Sequence, residues 1–170
     1  LEVFASHTLV GDHFDKLAAI KTLKKLSFSH VGIDGDALAH LKDHPTLESL
    51  TLSHTNVSGR DLREVASNKA LKGLYLKGKF NVMSACKAVG AMESLETLVL
   101  QTSLGTEAGL APLRGAKNLK VLQISMPVTE DGLRHLADLP KLQELKAMVR
   151  VNRSVVRELA RMKSLKRLDT

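Results

Sequence analysis

A serine–histidine doublet occurs three times in the chain, at Ser6-His7, Ser29-His30 and Ser53-His54. Serine beside histidine invites a nucleophile-and-base reading, in which the imidazole takes the hydroxyl proton. That chemistry also needs a third group to orient the imidazole, and donors for an oxyanion. Neighbours in an extended strand send their side chains to opposite faces, and no carboxylate recurs at a matching position, so no catalytic residue is expected. A Gly-rich phosphate loop, a C-x-x-C pair and an H-E-x-x-H motif are all absent from the sequence. The one cysteine, Cys86, cannot form an intrachain disulfide. A different chemistry gathers near the other end. Residues 141–170 hold nine Lys and Arg against three Asp and Glu. Among them Arg153, Arg157 and Arg161 step by four and share one helix face. Such a patch suits nucleic acid or an acidic membrane, or is simply a solvated helix surface.

The elements that carry these residues are set by a repeat. Leucines recur as L-x-x-L-x-L at Leu23-Leu26-Phe28, Leu47-Leu50-Leu52, Leu71-Leu74-Leu76, Leu95-Leu98-Leu100 and Leu119-Leu122-Ile124. The pattern weakens at Leu142-Leu145-Ala147 and restarts at Leu165-Leu168, with first leucines 24, 24, 24, 24, 23 and 23 residues apart. Each block has a second half, such as Val57, Leu62 and Val65, or Val128, Leu133, Leu136 and Leu139. The first half alternates with the period of a half-buried strand, and the second steps as a helix does. A single unit of this size cannot bury its leucines, but stacked neighbours cover one another. Cys86 falls in the column of Leu38, Leu62 and Leu110, which predicts a small buried hydrophobe. His44 falls with Ile20, Met92 and Leu139, which predicts a satisfied inner histidine. In the last helix Val156, Leu159 and Met162 are expected inward and the three arginines outward, so that charge reversal of all three arginines would cost little stability.

The spacing resembles the leucine-rich repeat family over essentially the whole chain. Thr106–Leu122 and Val128–Leu145 resemble a bacterial subtype, and Asp36–Val57 is similar to the GALA-type repeats of plant-pathogen effectors. The resemblance implies an α/β right-handed solenoid of about seven repeats, curved, with a parallel sheet on the concave face and helices on the convex face. Residues 1–170 then form a single domain, expected to be a fragment of a longer protein because polar end caps are not visible. Family repeats carry Asn at the ninth position of each block; here Val31, Thr55, Lys79, Ser103 and Pro127 stand there. Irregular turns are therefore expected at Val31, Lys79 and Pro127.

The same geometry turns positions 3, 5, 7 and 8 of each block to solvent, among them Val99, Thr102 and Met126. His30 and His54, with His7 if the first repeat aligns, would form a row on one rim. A row places ligands along a line rather than around a point, so no metal site is expected, nor any cofactor. Tyr75, the only tyrosine, and Lys77 lie mid-sheet, with Gly73 and Gly78 leaving room. Tyr75, Lys77, Ser53, His54, His30, Gln101 and Gln123 are the candidate partner-binding residues.

Composition agrees with a binding module. The chain carries a net charge of +7, is 44% hydrophobic and only 3% aromatic, and lacks Trp. Stacking platforms for single-stranded nucleic acid are thus not expected. No apolar run reaches the roughly 18 residues of a membrane span, and no signal-peptide pattern is seen. The implied function is recognition of a protein through the concave face, as the substrate-reading part of a bacterial effector or ubiquitin-ligase adaptor. Neither a small-molecule substrate nor a nucleic-acid or membrane partner is expected, and the location is expected to be the cytoplasm of a bacterium or its host. The alternative is an anion-binding module acting through Arg153, Arg157 and Arg161.

Overall fold

The structure is a computed structural model that describes residues 2–3 and 9–170; the doublet Ser6-His7 lies outside the described residues. Among the described residues eight parallel strands form one sheet in strict chain order. They are β1 (Glu2–Val3), β2 (Lys25–Ser29), β3 (Ser49–Ser53), β4 (Gly73–Lys77), β5 (Thr97–Gln101), β6 (Val121–Val128), β7 (Glu144–Val149) and β8 (Arg167–Asp169). Consecutive strands pair directly, and each return passes through a helical segment on the other layer. These segments are α1 (Gly11–Ala18), η1 (Ala37–Leu41), α2 (Gly59–Glu64), α3 (Val82–Val89), η2 (Glu107–Gly115), α4 (Glu130–Leu136) and α5 (Arg153–Arg161), each packed on the next.

The register follows the leucines. Leu26 pairs with Leu50, Leu50 with Leu74, Leu74 with Leu98, and Leu98 with Leu122. All of them are buried, as are the preceding column from Leu23 to Leu142 and the following column from Phe28 to Ala147. Burying each such side chain is worth about 1.5–3 kcal/mol, realised only because a neighbouring repeat supplies the other wall. At the N-terminal side Phe14 of α1 closes the stack against Phe28, ring centroids 5.2 Å apart.

Local chemistry decides the form of the returns. Ser58 caps α2 by accepting from the Arg60 and Asp61 amides, while the Asp61 carboxylate accepts from the Ser58 amide at 2.7 Å. Asn81, Thr129 and Asn152 cap α3, α4 and α5 through side-chain oxygens. The segments η1 and η2 are 3₁₀ rather than α-helical, and Asp36 and Thr106 make no side-chain cap. Pro112 inside η2 also lacks the amide that an α-helical turn would need.

The turn that follows each strand changes along the chain. His30 and His54 take φ of 55° and 52°, and Gly78 takes 109°. Their amides donate to the carbonyls of Ser53, Lys77 and Gln101 in the next repeat. Thr102, at the equivalent place, donates instead to the Ser125 hydroxyl at 3.0 Å. Beyond it the register slips between Ile124 and Pro127, so the irregularity expected at Pro127 is a bulge where proline has no amide to give. Val31 is buried rather than disruptive, and the Ile33 amide is met by Asn56 Oδ1 from the next repeat at 2.6 Å.

A side-chain ladder exists, but at the opposite turn, before each strand. Thr46 Oγ1 donates to the carbonyls of Lys21 and Leu23, Ser94 Oγ to those of Asn68 and Leu71, Asn118 Nδ2 to that of Glu93 and Ser164 Oγ to that of Pro140. Buried Asn68 completes it, donating to the Leu41 and His44 carbonyls and accepting from the Ala70 and Leu71 amides.

Candidate functional site

The solvent face of the sheet is built from side chains that alternate with the buried leucines. In register across it run Ser27, Thr51, Tyr75, Val99, Gln123 and Lys146, and beside them Ser29, Ser53, Lys77 and Gln101. Tyr75 does not stand upright. A Cβ placed on Gly73 would meet Tyr75 Cε2 at 3.1 Å, and would also lie close to the Tyr75 hydroxyl and Ser49 Oγ. The ring therefore lies back along its own strand over Gly73, half-buried.

Part of this face is less open than its alternation implies. Val99 is only 7% exposed, flanked in register by the longer Tyr75 and Gln123. Thr102 and Met126 are buried too: neither takes the positive φ that swings the eighth residue out at His30, His54 and Gly78, and Met126 lies within β6.

The two remaining doublets are in contact, contrary to the expectation of opposite faces. Ser29 Oγ lies 3.0 Å from His30 Nδ1 and Ser53 Oγ 3.1 Å from His54 Nδ1. Positive φ at the histidines breaks the strand alternation and returns each ring to the side of its serine. The imidazoles of His30 and His54 also stack, with centroids 4.6 Å apart and planes 7° apart. No carboxylate contacts either ring among the described residues. No group of three or more His, Cys, Asp or Glu among them could hold a metal ion.

At the strand ends two open depressions adjoin, of about 500 and 510 Å³. One is lined by His54, Lys77, Gly78, Gln101, Ser103 and Ser125, the other by Phe80, Met83 and Leu104 with Gly105 and Gly109, and Lys79 borders both. Leu104 is 48% and Met83 37% exposed. Sequence reasoning missed this rim because Leu104 is out of phase with the repeat; a leucine isolated in a Ser-Leu-Gly turn was the available signal.

Elsewhere the predicted residues divide. Cys86 is fully buried, and desolvation pushes its thiol up to about 12. His44, 3% exposed, shares a hydrogen bond through Nε2 with the Ile20 carbonyl and accepts the Thr46 amide at Nδ1. On α5 the inward residue is Val155, not Val156, which is 52% exposed. Asn152 Oδ1 caps the Val155 amide, and the 3.6-residue period then carries the buried stripe through Glu158, half-buried Leu159 and Met162. Arg153, Arg157 and Arg161 all face solvent, but they are not equivalent. Arg161 pairs with buried Glu158 at 2.6 Å and approaches Asp138 at 3.9 Å. Charge reversal there would disturb a paired carboxylate, so a small stability cost is expected only of Arg153 and Arg157.

No family profile and no curated protein sequence matches the chain. Among solved structures it is similar to an internalin, InlF, from Listeria monocytogenes, with 17% identity and a TM-score of 0.58 over 92% of this chain and 50% of that one. It also matches the plant peptide hormone receptor RGFR1 in complex with RGF2, at 16% identity and TM-score 0.42, over 98% of this chain and 34% of the receptor. A third match is TLR13 in its complex with ssRNA13, at 14% identity and TM-score 0.35, over 95% and 35% of the two chains. The chain spans about half the length of the internalin. The internalin likeness is one of fold: the chain is a curved α/β leucine-rich-repeat solenoid. No helix among the described residues is long and apolar enough to cross a membrane.

Proposed function

We propose that the chain is a non-enzymatic recognition module that binds a protein partner across the concave sheet face. The observation that carries this reading is the in-register set of solvent-facing side chains centred on Tyr75, whose ring lies flat over Gly73. A tyrosine fixed by its own strand offers contact area at little ordering cost, the quality of interface anchors. Ser53, His54, His30, Lys77, Gln101 and Gln123 surround it with adaptable polar groups. The GALA-like stretch Asp36–Val57 supports a finer reading, the substrate-reading part of a bacterial effector or ubiquitin-ligase adaptor working in bacterial or host cytoplasm. The test is affinity capture from bacterial and host-cell extracts on the full chain and on Tyr75→Ala/Gln123→Ala, quantified by mass spectrometry. The same proteins captured equally by both would defeat the reading.

A second reading keeps the basic end as an anion-binding surface. It is favoured by Arg153 and Arg157, which are exposed and have no ionic partner among the described residues. Binding of this kind falls steeply with salt, whereas a contact centred on Tyr75 need not.

A further inference from the structure

We infer that the rim between the turns after β4 and β5 is a docking groove for an acidic peptide segment carrying one apolar side chain. This rests on the reading of the chain as a protein-recognition module and adds the chemistry of its partner. The two adjoining depressions share Lys79, and no Asp or Glu lines either of them. Just before the strands, by contrast, Lys24 is matched by Glu48 and Lys120 by Glu96 of a neighbouring repeat. Lys77 and Lys79 have no carboxylate partner among the described residues, and in register Lys77 sits between Ser53 and Gln101. Two unmatched ammonium groups over a carboxylate-free hollow are complementary to acidic side chains.

Beside them the second depression presents the apolar side chains of Met83, Leu104 and Phe80, bordered by Asn81 and Thr106. Its shape is set by close packing. Gly105 has φ of 114°, and a Cβ there would lie 2.6 Å from Val82 Cγ2. A Cβ on Gly109 would lie 3.0 Å from the Met83 amide nitrogen. Only glycine lets this turn seat against the start of α3, so the hollow exists before any partner arrives. An aliphatic or aromatic side chain fills it while flanking carboxylates reach Lys77 and Lys79. A nucleic-acid strand fits less well, since Phe80 packs against the core and two lysines neutralise few phosphates.

The test is selection of a displayed random dodecapeptide library on the full chain, followed by affinities of the enriched peptides for wild type and folded variants. Enriched sequences should hold at least two acidic residues around a Leu, Met or Phe. Their binding should fall by about tenfold or more in both Lys79→Glu and Leu104→Asp, weaken with added salt, and survive in Tyr75→Ala/Gln123→Ala. Peptides without acidic residues, or peptides indifferent to Lys79→Glu, would overturn the groove. Enriched peptides lost only in Tyr75→Ala/Gln123→Ala would refute it while leaving sheet-face recognition standing. Failure to enrich any peptide counts against the groove alone; sheet-face recognition fails separately, if extract capture is indifferent to Tyr75→Ala/Gln123→Ala. Displacement of the peptides by a twelve-nucleotide oligothymidine at equal concentration would make the groove a nucleic-acid site and also overturn the proposal.

Discussion

The turns after β2, β3 and β4 are tied by backbone, and those after β5 and β6 by side chains. In the first group the left-handed residue donates its amide to the next repeat, from His30 to Ser53, His54 to Lys77 and Gly78 to Gln101. In the second, Ser125 Oγ stands in for the backbone, taking the Thr102 amide and donating to the Thr102 carbonyl. The difference comes from residue type at one position. Glycine enters the left-handed region freely and histidine does so more readily than most residues, whereas a β-branched threonine does not. Further on, side chains again tie neighbouring repeats. Burial raises the Glu107 carboxyl, but the Thr129 hydroxyl and amide and the Gly132 amide outweigh it and hold the group below the usual carboxylate range. The Glu158 carboxylate gathers Arg161 and Arg134. The Lys77–Lys79 hollow lies where the two kinds of turn meet.

Removing repeats is the strongest way to break this division. Deleting Leu71–Ser94 joins Ala70 to Leu95 and keeps the register, so a shorter cooperative fold should remain, with His54 now facing Gln101. Deleting only residues 71–82 leaves half a unit and should abolish cooperative urea unfolding, because its leucines lose their wall. Equal transitions from the two deletions would mean that the stacked unit is wrongly drawn.

Next in size is the turn itself. Gly78→Val puts a branched Cβ at φ 109° and about 3.2 Å from the His54 backbone, which should cost about 2–3 kcal/mol in urea unfolding. Gly78→Asn should recover only part of that, since Asn enters positive φ more readily but keeps the same Cβ contact with the His54 backbone. Gly35→Ala, whose Cβ would find only Asp61 Oδ1 at 3.7 Å, serves as the near-neutral control. If Gly78→Val is equally harmless, the backbone tie is not what orders the N-terminal turns.

The leucine columns, Cys86 and His44 were legible because core positions repeat with a fixed phase, and phase needs no knowledge of turns. What escaped depends on one residue at a time. Nothing in the spacing says that His30 turns left-handed, yet that one dihedral angle puts Ser29 and His30 on the same side. Thr46, Ser94 and Asn118 precede the first leucine of their blocks, but polar residues before a strand look like ordinary turn composition. A three-step count runs through Val156, Leu159 and Met162, whereas Val155 stands four before Leu159, and the Asn152 cap on its amide is what the count does not see. The rim was illegible because its apolar members, Met83 and Leu104, lie outside the repeat and meet only across two turns.

Cys86 probes the middle of the stack, between the two regions. Cys86→Ser should cost about 1–2 kcal/mol by leaving a hydroxyl in an apolar slot. Native Cys86 should resist thiol reagents until the chain unfolds. The unfolded thiol ionises near pH ~8.5, whereas the folded one holds its proton to about 12. Its contribution is therefore complete below the unfolded value and lost as pH rises toward the folded one. Between pH 8 and 10 wild type should lose stability faster than Cys86→Ala, and parallel curves would show that the thiol is not shielded.

The smallest effects separate the three arginines of α5. Arg153 opens the helix, where an acidic residue suits the exposed amides. Glutamate at 157 would stand four residues before Arg161, a favourable order for an ion pair. Arg153→Glu/Arg157→Glu should thus change stability by less than about 0.5 kcal/mol, while reducing any binding to heparin or acidic vesicles. Arg161→Glu faces the Glu158 carboxylate, which is buried and would keep only Arg134, 3.9 Å away. Half the Arg161 side chain is in solvent, which screens the loss, so about 1 kcal/mol is expected rather than the larger cost of a sealed pair. Thermal unfolding at low and moderate salt distinguishes the cases. If all three arginines behave alike, the C-terminal repeats do not depend on the Glu158 cluster, and the contrast between backbone-tied and side-chain-tied regions stops at Ser125.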